Sequence, residues 1–122
     1  LTPAQLLPLR RWNTPTVANA LERLSRRDPL ELVNRDETRD FMPELGAMVG
    51  YAVTVVISGR DPRPRRELPD NFDLYRAYLA SIPGPKIVVV QDLDRPHACG
   101  AFWGEVGAVT ARALGCVGTI TD

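Results

Sequence analysis

The sequence predicts an α/β fold, and three observations carry that expectation. Lys86 to Asp92 (KIVVVQD) and Val117 to Thr121 are short, continuous apolar runs of the kind that form strands covered on both faces. Between them, Gly104 to Leu114 has helical spacing, and strand, helix, strand at this distance reads as a right-handed βαβ unit of a parallel sheet. Upstream, YAVTVVIS concentrates β-branched residues in a third strand. At 122 residues the chain fits a single domain over 1–122, whose fold buries roughly two-thirds of the unfolded surface.

The elements follow in order. Thr2-Pro3 and Thr14-Pro15 are helix starts, because a proline at the first helical position lacks only a donor that has no intrahelical acceptor. Val17, Ala20, Leu21 and Leu24 recur at helical spacing, so Thr16 to Arg26 reads as an amphipathic helix ended before Asp28-Pro29. Gly46 and Gly50 mark a turn into the first strand. Gly59 to Asn71 (GRDPRPRRELPDN) has three prolines and no apolar periodicity, and reads as a solvated surface loop rather than a basic patch. Asp70 is placed to cap a helix over Asn71 to Ser81, on which Phe72, Tyr75, Leu79 and Ile82 share a face, and Pro83-Gly84-Pro85 stops it. In the Gly104 to Leu114 helix, Val106, Val109, Ala113 and Leu114 are expected to point inward, with Gly115 as the C-terminal stop.

Charge and cysteine usage narrow the function classes. Fifteen basic residues against fifteen acidic ones give no long-range attraction for phosphate backbones or anionic lipid, so neither nucleic acid nor a membrane surface is an expected partner. Cys99 and Cys116 are widely spaced and form no CxxC pattern, which suits a reducing, cytoplasmic setting. The first thirty residues carry charges and prolines without an apolar signal core, and no apolar run approaches the ~20 residues of a membrane span. A first residue that is Leu1 rather than Met, and a last one set against a strand end, lead us to expect a fragment of a longer chain.

Ligands of open α/β sheets bind outside the carboxyl ends of the strands, and the loop Leu93 to Trp103 leaves one such end. It enters a helix at Gly104-Glu105-Val106-Gly107, where two glycines in the first turn permit close approach to unpaired backbone N–H groups. The helix dipole contributes only ~0.3–1 kcal/mol there, enough to orient a carboxylate or phosphate but not to capture it. Glu105 has two readings, an acid that complements the dipole and a carboxylate that holds water beside the anion site. His97 is the single histidine, and without a second ligand at zinc spacing it reads as a loop residue. Trp103 reads as packing in preference to substrate stacking, and neither GxGxxG nor GxSxG is present.

The run AFWGEVGAVTARALGCVGTITD resembles the family of the regulator of ribonuclease activity A and the divalent-metal-dependent 4-hydroxy-4-methyl-2-oxoglutarate aldolases, here called RraA-like. Four further pieces agree in order: TPTVANAL, GYAVTVV, PDNFDLYRA and IPGPKIVVVQD. The resemblance spans Thr14 to Asp122, where Asp122 matches the first aspartate of the family's D-G-x-x-R-D. A full-length chain is therefore expected to continue with Gly, two variable residues and Arg-Asp. Asn19 stands where the family usually has aspartate, Gly107 where it has a bulkier apolar residue, and the Gly59 to Pro69 loop is longer and more basic than usual.

The resemblance implies a swivelling β/β/α domain, incomplete at its C-terminus, in trimers or hexamers. It implies a lyase that cleaves a carbon–carbon bond of a 2-oxo acid with Mg²⁺ or Mn²⁺, of the aldolase or oxaloacetate decarboxylase type, through a pyruvate enolate. Gly104, Glu105, Val106 and Gly107 correspond to the residues that give backbone N–H groups to the pyruvate-like moiety and an acid to the metal's water shell. The direct metal ligand is expected beyond Asp122. The rival implication is a regulator that docks on a ribonuclease or another protein. A methyltransferase acting on demethylmenaquinone, suggested by an old family name, lacks a glycine-rich nucleotide loop here.

Overall fold

The computed structural model describes residues 1–32 and 38–122, which fall into two compact units, Leu1–Val49 and Gly50–Asp122. The first opens with α1 (Pro3–Leu6), where the Thr2 N–H donates to Gln5 Oε1 at 2.8 Å and Leu6 is buried. A 3₁₀ turn over Leu7–Arg11 leads to α2 (Thr14–Leu24). This helix starts and stops two residues before the predicted bounds. Asn13, not a threonine, is the cap: its Oδ1 accepts from the Thr16 N–H at 3.0 Å and from Thr16 Oγ1 at 2.6 Å. At the other end Ser25 turns extended and closes the helix through its N–H to Leu21 O. The apolar stripe is present at its predicted spacing, yet Val17, Leu21 and Leu24 are all exposed.

The second unit is a three-stranded sheet of β1 (Tyr51–Ile57), β2 (Lys86–Asp92) and β3 (Cys116–Thr121), all parallel, in the order β1-β2-β3. Tyr51 pairs with Lys86 through to Ile57 with Asp92; across the other ladder Ile87 pairs with Gly118 and Val90 with Thr121, after a register shift at Lys86. Gly50 makes the close approach into β1, where a Cβ would lie 2.9 Å from the Pro85 carbonyl oxygen. Between β1 and β2 lie α3 (Arg63–Glu67) and α4 (Asn71–Ser81); between β2 and β3 lies α5 (Glu105–Ala113). The expected strand-helix-strand unit is thus present, and β1 to β2 is a second parallel crossover. This is an α/β fold with a small sheet.

One face of the sheet holds the core. Val53, Val88 and Val90 from the strands meet Leu79 of α4 and Ala111 of α5, with Cys116 at the edge. A valine or leucine side chain contributes ~1.5–3 kcal/mol on full burial, and Val53, Val88 and Leu79 are completely buried. Lys86 is buried at the start of β2, where its ammonium donates to the carbonyls of Leu79 and, at 2.6 Å, Leu114. The central strand therefore ties down the C-terminal ends of both α4 and α5.

Five expectations need correction. The predicted loop over 59–71 contains α3, a single helical turn and more that follows Pro62. Asp70 makes no side-chain cap; its backbone carbonyl accepts from the Asp73 and Leu74 N–H groups instead. Phe72 is exposed, although Tyr75, Leu79 and Ile82 do face the core. On α5 the inward residues are Thr110, Ala111 and Leu114, while Val106, Val109 and Ala113 lie outward. Small side chains permit the close approach of helix to sheet, which a valine face would hold apart. Finally, β2 alternates between buried and less buried positions, and β3 is largely exposed beyond Cys116, so neither is covered on both faces.

Candidate functional site

The start of α5 forms one wall of an open cavity of about 420 Å³. Gly104, Glu105, Val106 and Gly107 all line it, so the four residues singled out from sequence come together in one place. The first intrahelical bond is Ala108 N–H to Gly104 O at 2.9 Å, which leaves the preceding N–H groups without an intrahelical acceptor. Gly115, at φ +89°, ends the last turn where the sequence placed the stop. The Glu105 side chain is exposed and makes no hydrogen bond or ion pair among the described residues. A Cβ at Gly107 would sit 3.9 Å from the Phe102 carbonyl oxygen and 4.0 Å from the Trp103 ring, ordinary van der Waals contact, so the site has room for a side chain there.

Aromatic side chains build the rest of the wall. Tyr75 of α4 meets Phe102 edge-on at 5.5 Å, and Phe102 meets Trp103 at 5.2 Å. All three pack against the core, which bears out packing as the role of Trp103 while leaving its edge on the cavity. The Tyr75 hydroxyl and Trp103 Nε1 are buried without a partner among the described residues. Burial, and to a lesser degree the Cys116 thiol, push the Tyr75 hydroxyl above its usual pKa, so it stays protonated. The Cys116 thiol is itself pushed up by burial, with Lys86 opposing.

Arg76 of α4 also lines the cavity, and sequence reading missed it together with its neighbours on that helix. The available signal was spacing: Phe72, Tyr75 and Arg76 stand at i, i+3 and i+4 and share one helical face. Also missed was Asp94, at the carboxyl end of the sheet. Its carboxylate accepts from Ser58 Oγ and the Gly59 N–H at 2.7 Å each, from the Arg60 N–H at 3.1 Å and from Cys99 Sγ at 3.6 Å. The segments leaving β1 and β2 are joined through this one side chain. Ser58 is the chief cause of a carboxyl pKa below the usual value, with the Arg60 and Gly59 amides assisting against burial.

His97 lies in the loop, as read from sequence, and its N–H donates to the Asp94 carbonyl. No group of three His, Cys, Asp or Glu side chains that could hold a metal ion occurs among the described residues. Asp122 stands at the end of β3, where its Oδ1 accepts from the Asp92 N–H at 2.7 Å. Both cysteines are free thiols, and no helix among the described residues is long and apolar enough to cross a membrane.

The RraA-like family model, described as Aldolase/RraA, matches residues 14–122. The chain belongs to the RraA-like family. That family includes both aldolase or decarboxylase enzymes and regulators of ribonucleases. No curated protein and no solved structure shows a significant match to the chain. The RraA-like match covers all three strands, α2 to α5 and every residue of the cavity wall.

Proposed function

We propose that this RraA-like chain belongs to a divalent-metal-dependent lyase that cleaves a carbon–carbon bond of a 2-oxo acid, of the 4-hydroxy-4-methyl-2-oxoglutarate aldolase or oxaloacetate decarboxylase type. The architecture under this reading is the swivelling β/β/α domain. The observation that carries the proposal is the start of α5, whose free N–H groups and unpartnered Glu105 carboxylate line one cavity in a chain of this family. A cavity of about 420 Å³ suits a small carboxylic acid.

The donor set is one carboxylate, which fits the water shell of a Mg²⁺ or Mn²⁺ ion. Glu105 would hold a water of that shell and would not itself ligate the ion. When bound, such an ion supplies Lewis-acid stabilisation of the negative charge that develops on the 2-oxo acid, worth several kcal/mol. The chain's own residues do the rest. Backbone N–H groups at Glu105, Val106 and Gly107 orient the substrate carboxylate, aided by the helix dipole. Phe102, Trp103 and Tyr75 exclude water from one side. Glu105 accepts a hydrogen bond from a water and moves a proton at its carboxylate oxygen. In retro-aldol cleavage the C4 hydroxyl would lose that proton, its O–H electron pair would form the carbonyl of the departing fragment as the C3–C4 bond breaks, and the C3–C4 pair would be left on the pyruvate enolate, which takes a proton back at C3 to give pyruvate.

Glu105→Gln in the full-length protein tests this. A neutral isostere at an exposed helix start forfeits only ~0.3–1 kcal/mol of folding stability. Loss of a positioned acid or base lowers the rate by ~10²–10⁴. Pyruvate release from oxaloacetate or a 4-hydroxy-2-oxo acid, at saturating Mg²⁺ or Mn²⁺, is therefore expected to fall by that factor with the melting temperature almost unchanged. Activity within about threefold of the unmodified protein would return Glu105 to complementing the dipole.

The second reading, a regulator that binds a ribonuclease or another protein, has one observation in its favour. Val106, which also lines the cavity, and Val109 are 75% and 60% exposed on α5, apolar surface of the kind protein partners cover.

A further inference from the structure

Phe102 and Trp103, which wall the cavity, end a loop that has no regular structure of its own. Residues 98–103 belong to no helix or strand, and among the described residues they make no backbone–backbone hydrogen bond. Their place is therefore set from the two ends. At the far end both rings pack against the core. At the near end the β1–β2 ladder stops with the Leu93 N–H to Ile57 O at 2.9 Å, and beyond it the Asp94 side chain takes over. Its Oδ1 accepts from Ser58 Oγ, and its Oδ2 from the Gly59 and Arg60 N–H groups and from Cys99 Sγ. Arg60 closes the same junction from the other side, donating from Nη2 to the His97 carbonyl at 2.8 Å. Gly59 and Gly100 meet backbone to backbone, so that a Cβ on Gly59 would lie 3.2 Å from Gly100 Cα and from Cys99 Sγ.

Asp94 faces donors. Ser58 Oγ already accepts from the Asp61 N–H at 3.0 Å, which sends its own hydrogen to Asp94. An ionised carboxylate serves all these groups at once, and such charge-assisted bonds are the strong ones. We infer that Asp94 is a positioning residue of the cavity: by clasping the exits of β1 and β2 together it sets where the loop presents Phe102 and Trp103 to the ligand. It touches no ligand itself and acts through the loop. The inference rests on the lyase reading for the identity of the substrate, whereas the placement of the wall is independent of it.

The test uses the full-length protein with Trp103 as its single tryptophan, Trp12 being replaced by Phe at an exposed position. Trp103 emission and its quenching by acrylamide report the wall, and turnover of oxaloacetate at saturating Mg²⁺ or Mn²⁺ reports the site. Asp94→Ala leaves the Gly59 and Arg60 N–H groups without their acceptor, and Gly59→Ala drives a methyl group against the loop without removing a charge. Both are expected to shift Trp103 emission to the red and raise its quenching far below the melting temperature, with the far-ultraviolet circular dichroism retained. A displaced wall lowers kcat/KM by roughly tenfold to a hundredfold, carried by KM, because the wall contacts the ligand and not the bond that breaks. Asp94→Asn is expected to restore most of both signals, since its amide oxygen still accepts from Gly59 and Arg60 while its NH₂ group turns to Ser58. If the unmodified protein does not turn over oxaloacetate, the lyase reading falls and the Trp103 response alone decides the clasp. Folded Asp94→Ala and Gly59→Ala proteins with Trp103 as shielded as before, or with Trp103 released and KM unchanged, overturn it.

Discussion

Asp94 concentrates four donors on one carboxylate, and its acidity follows from them. Hydrogen bonds from Ser58, Arg60, Gly59 and Cys99 favour the charged form and lower its pKa below 3.8. A depressed folded-state pKa contributes stability that is complete above the unfolded value and is lost as pH falls through the folded one. The melting temperature of Asp94→Asn is therefore expected to lie below that of the unmodified protein at neutral pH, and the gap to close below about pH 4. A gap that persists unchanged to pH 2 would show that the amide itself is misplaced, not that charge is missing. Asp61, held at about 2 by Arg63, loses its own contribution over an overlapping range in both proteins, so the difference between them isolates Asp94. Of these residues the sequence made Glu105 legible, because a glycine-flanked acid at a helix start is a local pattern. Asp94 was not legible, since Ser58, Gly59 and Arg60 stand more than thirty positions away and no short motif records that; the spacing of Arg76 put it on a face with Phe72 and Tyr75 but not beside the start of α5.

Lys86 decides how the helices are held. Its Nζ satisfies a carbonyl in the last turn of α4 and another just past α5, and the strand start places it between them. Lys86→Met leaves the part-buried Leu114 carbonyl without its ammonium donor and the Leu79 carbonyl with only the long bond from the Ile82 N–H at 3.4 Å, at ~1–3 kcal/mol each, partly offset because an ammonium no longer has to be desolvated. A net loss of ~2–4 kcal/mol is expected, read as a lower midpoint in urea with an unchanged slope. A midpoint equal to that of the unmodified protein would mean that water replaces the ammonium. Element type was legible for α4, β1, β2 and β3 because their periodicities are strong; α4 even keeps its predicted bounds. The inward face of α5 was not. Hydrophobicity selected Val106 and Val109, whereas the packing distance selected Ala111, and a sequence ranks side chains by polarity more readily than by the space available to them. The same competition hid α3, whose charged residues RPRRE give no apolar face to detect.

At the scale of the molecule, the parallel pairing was legible from one strand-helix-strand unit, but the second crossover, between β1 and β2, was not drawn from a segment that read as mostly loop. Family habit, and the apolar exposure of α5 and of Val117 and Ile120 on β3, lead us to expect that the full-length protein sediments as a trimer or a multiple of three. A clean monomer at micromolar concentration in analytical ultracentrifugation counts against it. The strand order has a further consequence. Because neighbours in the sheet are also successive in the chain, no strand has to wait for a later one to be inserted beside it. During synthesis β1 and β2 can close their ladder around Val53, Val88 and Leu79 as soon as β2 leaves the ribosome, and β3 then adds to an edge already formed. The order of assembly is written into the order of translation, and the helix start that lines the cavity is laid down after β1 and β2, on a platform already built.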